Sequence, residues 1–245
     1  MLSLATTAPQ VRKLIKKGVK LPLATKNYPS RGQTAIQDLY QTPQGKLFLK
    51  RSSKQNHIDC RVLVDSGTLA EREYWSFCLA KDLGLSVPPM WLLDKFTTVQ
   101  IWLNLPDAHQ FATTRGKLDL IADDIFDCAL FDWVTGQIDR HDANYLYDYV
   151  NRRIILIDSA HGFLKYSGSI PDYLRYFEIG FPRELKIKHS TSVLKKIRAF
   201  SRTHLLKVVP LRDDEERAAL MSRFSQLEEV HSLEGIIALY RGGQK

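Results

Sequence analysis

Pro106 divides the chain into two stretches written in different periodicities, and that division limits the folds open to it. Before Pro106, short apolar runs are separated by turn residues, the pattern of strands. AIQDLYQT, then the turn-like PQGK, then LFLKR read as two antiparallel strands between Ala35 and Arg51, joined by a tight connection. WLLD and TTVQIWLNL read as two more strands, the second broken by Pro106. One helix interrupts them, TLAEREYWSFCLAKDLG, with Thr68 as its cap, Gly84 as its stop, and Pro88 and Pro89 beyond. After Ala108 the spacing becomes helical: LDLIADDIFDCALFDWVTGQ repeats apolar residues at Leu120, Ile121, Ile125, Ala129, Leu130 and Trp133. YLYDY and RIILID form a short β-pair around Asn151, and the stretch from about Pro171 reads as mostly helical. Val193, Leu194, Ile197, Phe200 and Leu205 make the apolar stripe of a helix there, opposite Lys195, Lys196, Arg198 and Arg202. The sequence therefore predicts an α+β chain in two lobes. Residues 1–28 form a basic N-terminal extension, residues 29–106 a small strand-rich N-lobe with one key helix, and residues 107–245 a mainly helical C-lobe.

Composition narrows the setting. Apolar residues make up 44% and charged residues 25%, which excludes the low-hydrophobicity signature of disorder. Cys60, Cys78 and Cys128 are too widely spaced for a disulfide framework or a CxxC metal site, and no stretch approaches the roughly 20 apolar residues that span a bilayer. A soluble protein of a reducing cytosol is expected, either that of the producing cell or that of another cell. Net charge is +8, and Arg12, Lys13, Lys16, Lys17, Lys20, Lys26 and Arg31 all precede the first acidic residue, Asp38. Such a surface attracts nucleic acid, anionic lipid, phosphorylated ligands or an acidic protein, without choosing among them. Val11, Leu14, Ile15 and Val19 fall at helical spacing in this segment and predict a short amphipathic helix of no readable role.

Three groups of residues carry chemistry. Asp139-Arg140-His141-Asp142-Ala143-Asn144 places a carboxylate five residues before an amide on one loop. Ile154-Ile155-Leu156-Ile157 is an apolar strand that delivers Asp158 at its end. Asn144 and Asp158 would supply the sparse oxygen set that Mg²⁺ accepts alongside phosphates and water, and Asp139 can orient a hydroxyl and take its proton. Lys50 ends the apolar run LFLK, so an inward-facing ammonium there needs an anion. Glu73 is the candidate: it shares a helix face with Ala70, Phe77 and Ala80 and interrupts their apolar stripe, whereas Glu71 shares a face with Asp82 and reads as solvated. Arg140 and His141 read as structural, packing the loop and bonding its carbonyls. Trp91, Trp102 and Trp133 read as core.

The lysine strand, the glutamate helix, DRHDAN and LIDSAHGF resemble the phosphatidylinositol 3-/4-kinase-like superfamily, with the related HipA-type and actin-fragmin-type kinases, from about Pro29 to Phe163. The resemblance implies a bilobal kinase fold with ATP in the cleft and Mg²⁺ (Mn²⁺ as the alternative) on Asn144 and Asp158. It further implies Lys50 on the nucleotide phosphates, Glu73 holding Lys50, Asp139 at the acceptor hydroxyl, and adenine on the backbone of a hinge near Ile101 and Leu103. The chain departs from the family in lacking a full glycine-rich loop. Ser30-Arg31-Gly32-Gln33-Thr34 is the substitute, Gly32 permitting close backbone approach and Ser30 and Thr34 offering hydroxyls to phosphate. It departs again in reading DSAHG after the strand, with Gly162 later than the family places it. The expected reaction is transfer of the ATP γ-phosphate to serine or threonine of a protein, an acidic one given the basic surface. A phosphoinositide kinase acting at an anionic membrane surface stands as the alternative. So does a catalytically silent relative that holds an acidic partner or, less expected, nucleic acid; the charge excess favours it and the intact Asp139, Asn144 and Asp158 set speaks against it. Transfer of AMP or an amino acid on the same fold also stays open.

Overall fold

The computed structural model describes residues 6–22, 35–52, 66–107, 122–148, 150–151, 153–166, 171, 192–227, 230 and 232–242. Its first sheet grows from the hairpin the sequence predicts. β2 (Ile36–Thr42) and β3 (Gly45–Arg51) pair antiparallel from Ile36 opposite Arg51 to Thr42 opposite Gly45, and Gly45 takes the positive φ of 127° that this tight turn demands. β1 (Val19–Leu21) pairs with β2, β5 (Thr97–Ile101) with β3, and β4 (Met90–Asp94) with β5, all antiparallel, giving the order β1-β2-β3-β5-β4. β5 stops at Ile101, earlier than TTVQIWLNL suggests. Trp102 N–H makes one more bond, to Lys46 O, but β3 begins at Gly45 and Pro88 and Pro89 have no N–H to donate, so the chain beyond has little left to pair with.

Alternation along the strands gives the sheet two faces. Leu47, Leu49, Trp91 and Val99 point outward, where Val11, Leu14 and Ile15 of α1 (Ala8–Lys17) cover them. Trp91 Nε1–H donates to Thr6 O at 2.6 Å, and Arg12, Lys13, Lys16 and Lys17 face solvent. The N-terminal segment that the sequence sets apart as an extension thus contributes both an edge strand and the cover of the sheet. Phe48, Lys50, Thr98 and Gln100 line the other face, all buried, against α2 (Leu69–Leu83).

α2 begins and ends where the sequence predicts. Thr68 accepts the Glu71 N–H while the Glu71 carboxylate accepts the Thr68 N–H, and Gly84 closes the helix at φ 85°. Glu71 is therefore a capping residue rather than a merely solvated charge. Leu79, Ala80 and Leu83 carry the helix into the larger core, formed with α3 (Ala122–Thr135), α4 (Ser192–Ala199), α5 (Arg202–Val208), α6 (Asp214–Gln226) and α7 (Leu233–Gly242). The stripe from Val193 to Leu205 belongs to two helices, not one, because Ser201 Oγ accepts the His204 N–H and starts α5 afresh. β6 (Tyr145–Asp148) and β7 (Arg153–Leu156) form the separate β-pair. Trp91 and Trp133 are core residues; Trp102 is half-buried beside the Phe48 ring. Among the described residues no helix is long and apolar enough to cross a membrane.

Candidate active site

β3 is buried on both faces from Leu47 to Lys50, so the Lys50 side chain reaches inward with its charge. Its Nζ lies 2.6 Å from Glu73 Oε1 and 3.1 Å from Asp158 Oδ1, and Glu73 Oε2 accepts Thr98 Oγ1–H at 3.0 Å. Burial alone would drive the ammonium toward neutrality, but Asp158 and Glu73 outweigh it and hold the Lys50 pKa above its ordinary value. Asp158 is likewise pushed up by burial and pulled further down by Lys50, ending below the ordinary carboxylate range. For Glu73, 3% exposed, burial wins over Lys50 and raises its pKa.

Asp158 follows β7 at a left-handed φ of 51°, which turns the chain out of the strand at the carboxylate. Aspartate is among the few non-glycine residues that tolerate this conformation. The segment beyond is fastened at several points. Ser159 O accepts Ser76 Oγ–H at 3.0 Å, Gly162 O accepts Arg72 Nη1–H at 2.6 Å, and Phe163 N–H bonds Thr135 O.

The Asp139–Asn144 loop joins this segment through Arg140. Arg140 Nε and Nη2 grip the buried Asp132 carboxylate of α3 at 3.0–3.2 Å. Nη1 donates to Asn144 O and Ile157 O, both at 2.6 Å, and Nη2 to Ser159 Oγ at 2.8 Å. One guanidinium thus ties the carbonyl of Asn144 to that of the residue before Asp158. His141 caps the single 3₁₀ turn Asp142–Asn144 by accepting the Ala143 N–H at 3.2 Å. Asn144 is buried, and its Nδ2 donates to Asp139 O at 2.6 Å, which leaves the amide oxygen as the end to offer a cation. The Asp139 carboxylate, 42% exposed, receives His161 Nδ1 at 3.2 Å. One amide oxygen and one carboxylate, backed by phosphate and water, suit Mg²⁺, which rarely takes an all-protein cage.

An open cleft lies over the lysine, lined by Gln37, Ser52, Thr98 and Ala160 besides Lys50, Glu73 and Asp158. A second, small and more apolar space lies behind Glu73 against Phe77, Met90, Gln100 and Leu156. Of the residues singled out in the sequence, Lys50, Glu73 and Asp158 meet directly, and Asp139 and Asn144 join them through the Arg140 hub. Ile101 and Leu103 lie at and just past the end of β5. The Ile101 N–H is engaged by Pro89 O at 3.0 Å, so it is not a free donor for a base. Ser30, Gly32 and Thr34 lie outside the described residues. Thr98, Asp132, His161 and Arg72 were not singled out. A charge inside an apolar pattern is the signal for Asp132, in the run LFDWV, and for Arg72, which shares a helix face with Leu69, Trp75 and Leu79; nothing in the sequence marks Thr98 or His161.

No protein-family model matches the chain, and no curated protein sequence matches it. Among solved structures it is similar to the Helicobacter pylori proinflammatory kinase CtkA, with a TM-score of 0.48 and 13% identity over 87% of this chain and 94% of that one. It is also similar to the Rio2 kinase of Chaetomium thermophilum in its ADP/Mg²⁺-phosphoaspartate complex, with a TM-score of 0.44 and 13% identity over 90% and 85% of the two chains. A further structure of the same Rio2 kinase gives a TM-score of 0.45 and 12% identity over 90% and 87%.

Proposed function

We propose that this chain is a Mg²⁺- and ATP-dependent kinase that transfers the γ-phosphate to a serine or threonine hydroxyl of a protein. The observation that carries the reading is the Lys50 ammonium held between Glu73 and Asp158 at the floor of an open cleft. Lys50 is kept cationic by its two carboxylates and is placed to hold nucleotide phosphates. Asp158 and Asn144 would hold the metal, which supplies charge neutralisation at the phosphates when bound. Asp139 Oδ2 takes the His161 contact and Oδ1 lies 3.8 Å from His141 Nε2; the carboxylate, 42% exposed, would orient an incoming hydroxyl and receive its proton. Arg140 keeps the two metal-binding residues in register. The exposure of Asp139 suits an acceptor presented on a protein loop. A phosphoinositide acceptor is the second reading, favoured by the basic solvent faces of α1 and α4.

Incubation with labelled ATP, Mg²⁺, protein acceptors and phosphoinositide vesicles tests the reading. Transfer to protein is expected. D158A should reduce it to background, and D139N should lower kcat by about 100-fold or more while retaining nucleotide binding. Nucleotide binding without transfer to any acceptor would assign a silent relative, and transfer of AMP would place the chemistry at the α-phosphate. Label only in the vesicles would replace the protein acceptor with lipid.

A further inference from the structure

Arg72 stands next to Glu73 on α2 and faces the other way. It is fully buried, and so is its partner Glu216 on α6. Its guanidinium donates in three directions: Nε to Ser66 O at 2.8 Å, Nη1 to Gly162 O at 2.6 Å, and Nη2 to the Glu216 carboxylate. Each acceptor is itself anchored. Ser66 Oγ accepts the Arg212 and Asp213 N–H groups at 2.7 and 2.8 Å, Asp213 caps the helix that carries Glu216, and Gly162 lies four residues past Asp158. One turn along α2, Ser76 Oγ–H bonds Ser159 O. Farther still, Leu79, Ala80 and Leu83 are embedded in the helical core. The helix that carries the lysine's partner is thus fastened along its length to the helical part of the molecule and to the segment that bears Asp158.

We infer that Arg72 is a positioning residue of the site: through Glu216, Gly162 and Ser66 it fixes α2 so that Glu73 meets Lys50 before any nucleotide or activating signal arrives. This rests on the kinase reading, because the quantity positioned is the lysine that would hold phosphate. A lysine at position 72 keeps the charge for Glu216 but cannot fork to Ser66 O and Gly162 O as well. Glu73 should then drift from Lys50, and the nucleotide should bind less tightly.

The test is a double-mutant cycle on MgATP affinity, measured by calorimetry on wild type, R72K, E73Q and R72K/E73Q. R72K should weaken binding about tenfold in the wild-type background and by no more than about twofold in the E73Q background, where the lysine has already lost the carboxylate that α2 brings to it. Equal effects in both backgrounds, or wild-type affinity in R72K, would overturn the inference, because a role confined to general stability lowers both alike. If R72K does not fold, the isosteric E216Q takes its place in the cycle. Failure of both to fold would assign the pair to stability alone and also overturn it. Absence of nucleotide binding in the wild type would instead strike the kinase reading.

Discussion

Replacing Lys50 with Met removes the one cation shared by two carboxylates and keeps the volume of the stem. The Glu73 side chain is 3% exposed and that of Asp158 39%, so water can reach Asp158 and the loss falls on Glu73. Breaking a buried ion pair from one side costs about 3–5 kcal/mol, and the solvated partner points to the lower figure, about 3 kcal/mol. For a chain of this size that corresponds to a fall in Tm of about 6–12 °C. The pH dependence has a definite sign. Burial already raises the Glu73 pKa above its ordinary 4.5, and losing Lys50 raises it further. A carboxylate whose folded pKa exceeds its unfolded one costs nothing while both states are protonated and destabilises increasingly as pH rises through that window. The K50M deficit should therefore be small near about pH 5 and larger near about pH 8, with the double mutant K50M/E73Q regaining most of it. Thermal melts of the three proteins at the two pH values decide. A K50M protein that melts within about 2 °C of wild type at both, or a double mutant no better than the single, would refute the assignment of a buried charge cluster.

Two further outcomes follow from the packing. Gly136 sits at φ +60°, and a Cβ there would lie 2.7 Å from Arg223 Cζ, a guanidinium that already holds Val134 O and Leu164 O. G136A should lower the stability measured by denaturant unfolding by about 1–3 kcal/mol. Val11 is wholly buried under the sheet, so V11D should destabilise by about 3 kcal/mol or more and raise dye binding to exposed apolar surface, whereas K13E on the solvent face should melt as wild type does.

Legibility in the sequence followed the range of the interaction. Thr68, Glu71 and Gly84 act within four residues of themselves, and their helix begins and ends where the sequence places it. The β2–β3 hairpin is equally local. Lys50 and Glu73 lie 23 residues apart yet could be paired on paper, because each is a charge interrupting an apolar pattern and must find its opposite. Arg72 defeats the same reasoning. Leu69, Trp75 and Leu79 share its helix face and show that its side is covered, but its acceptors Gly162 and Glu216 are 90 and 144 residues away, and nothing local selects them. Arg140 bonds loop carbonyls, as the sequence predicts, but its hold on Ile157 O and Asp132 depends on how α3 and β7 pack, and periodicity carries no such information. β5 ends before its pattern does for a related reason: TTVQIWLNL has the alternation of a longer strand, and only the partner strands decide how much of it is paired.

The seat of α1 has a bearing on how the chain is made. The helix is translated before the surface it covers, which is built from β3, β5 and β4, and the Trp91 contact to Thr6 spans 85 residues. At about 5–20 residues per second the ribosome needs roughly 4–17 s to complete that seat. A ten-residue amphipathic segment does not hold helical shape by itself in water, so through this interval it is an unpaired apolar stripe on the nascent chain. The hairpin can zip as soon as it emerges, whereas α1, made before it, docks only once β4 and β5 are in place.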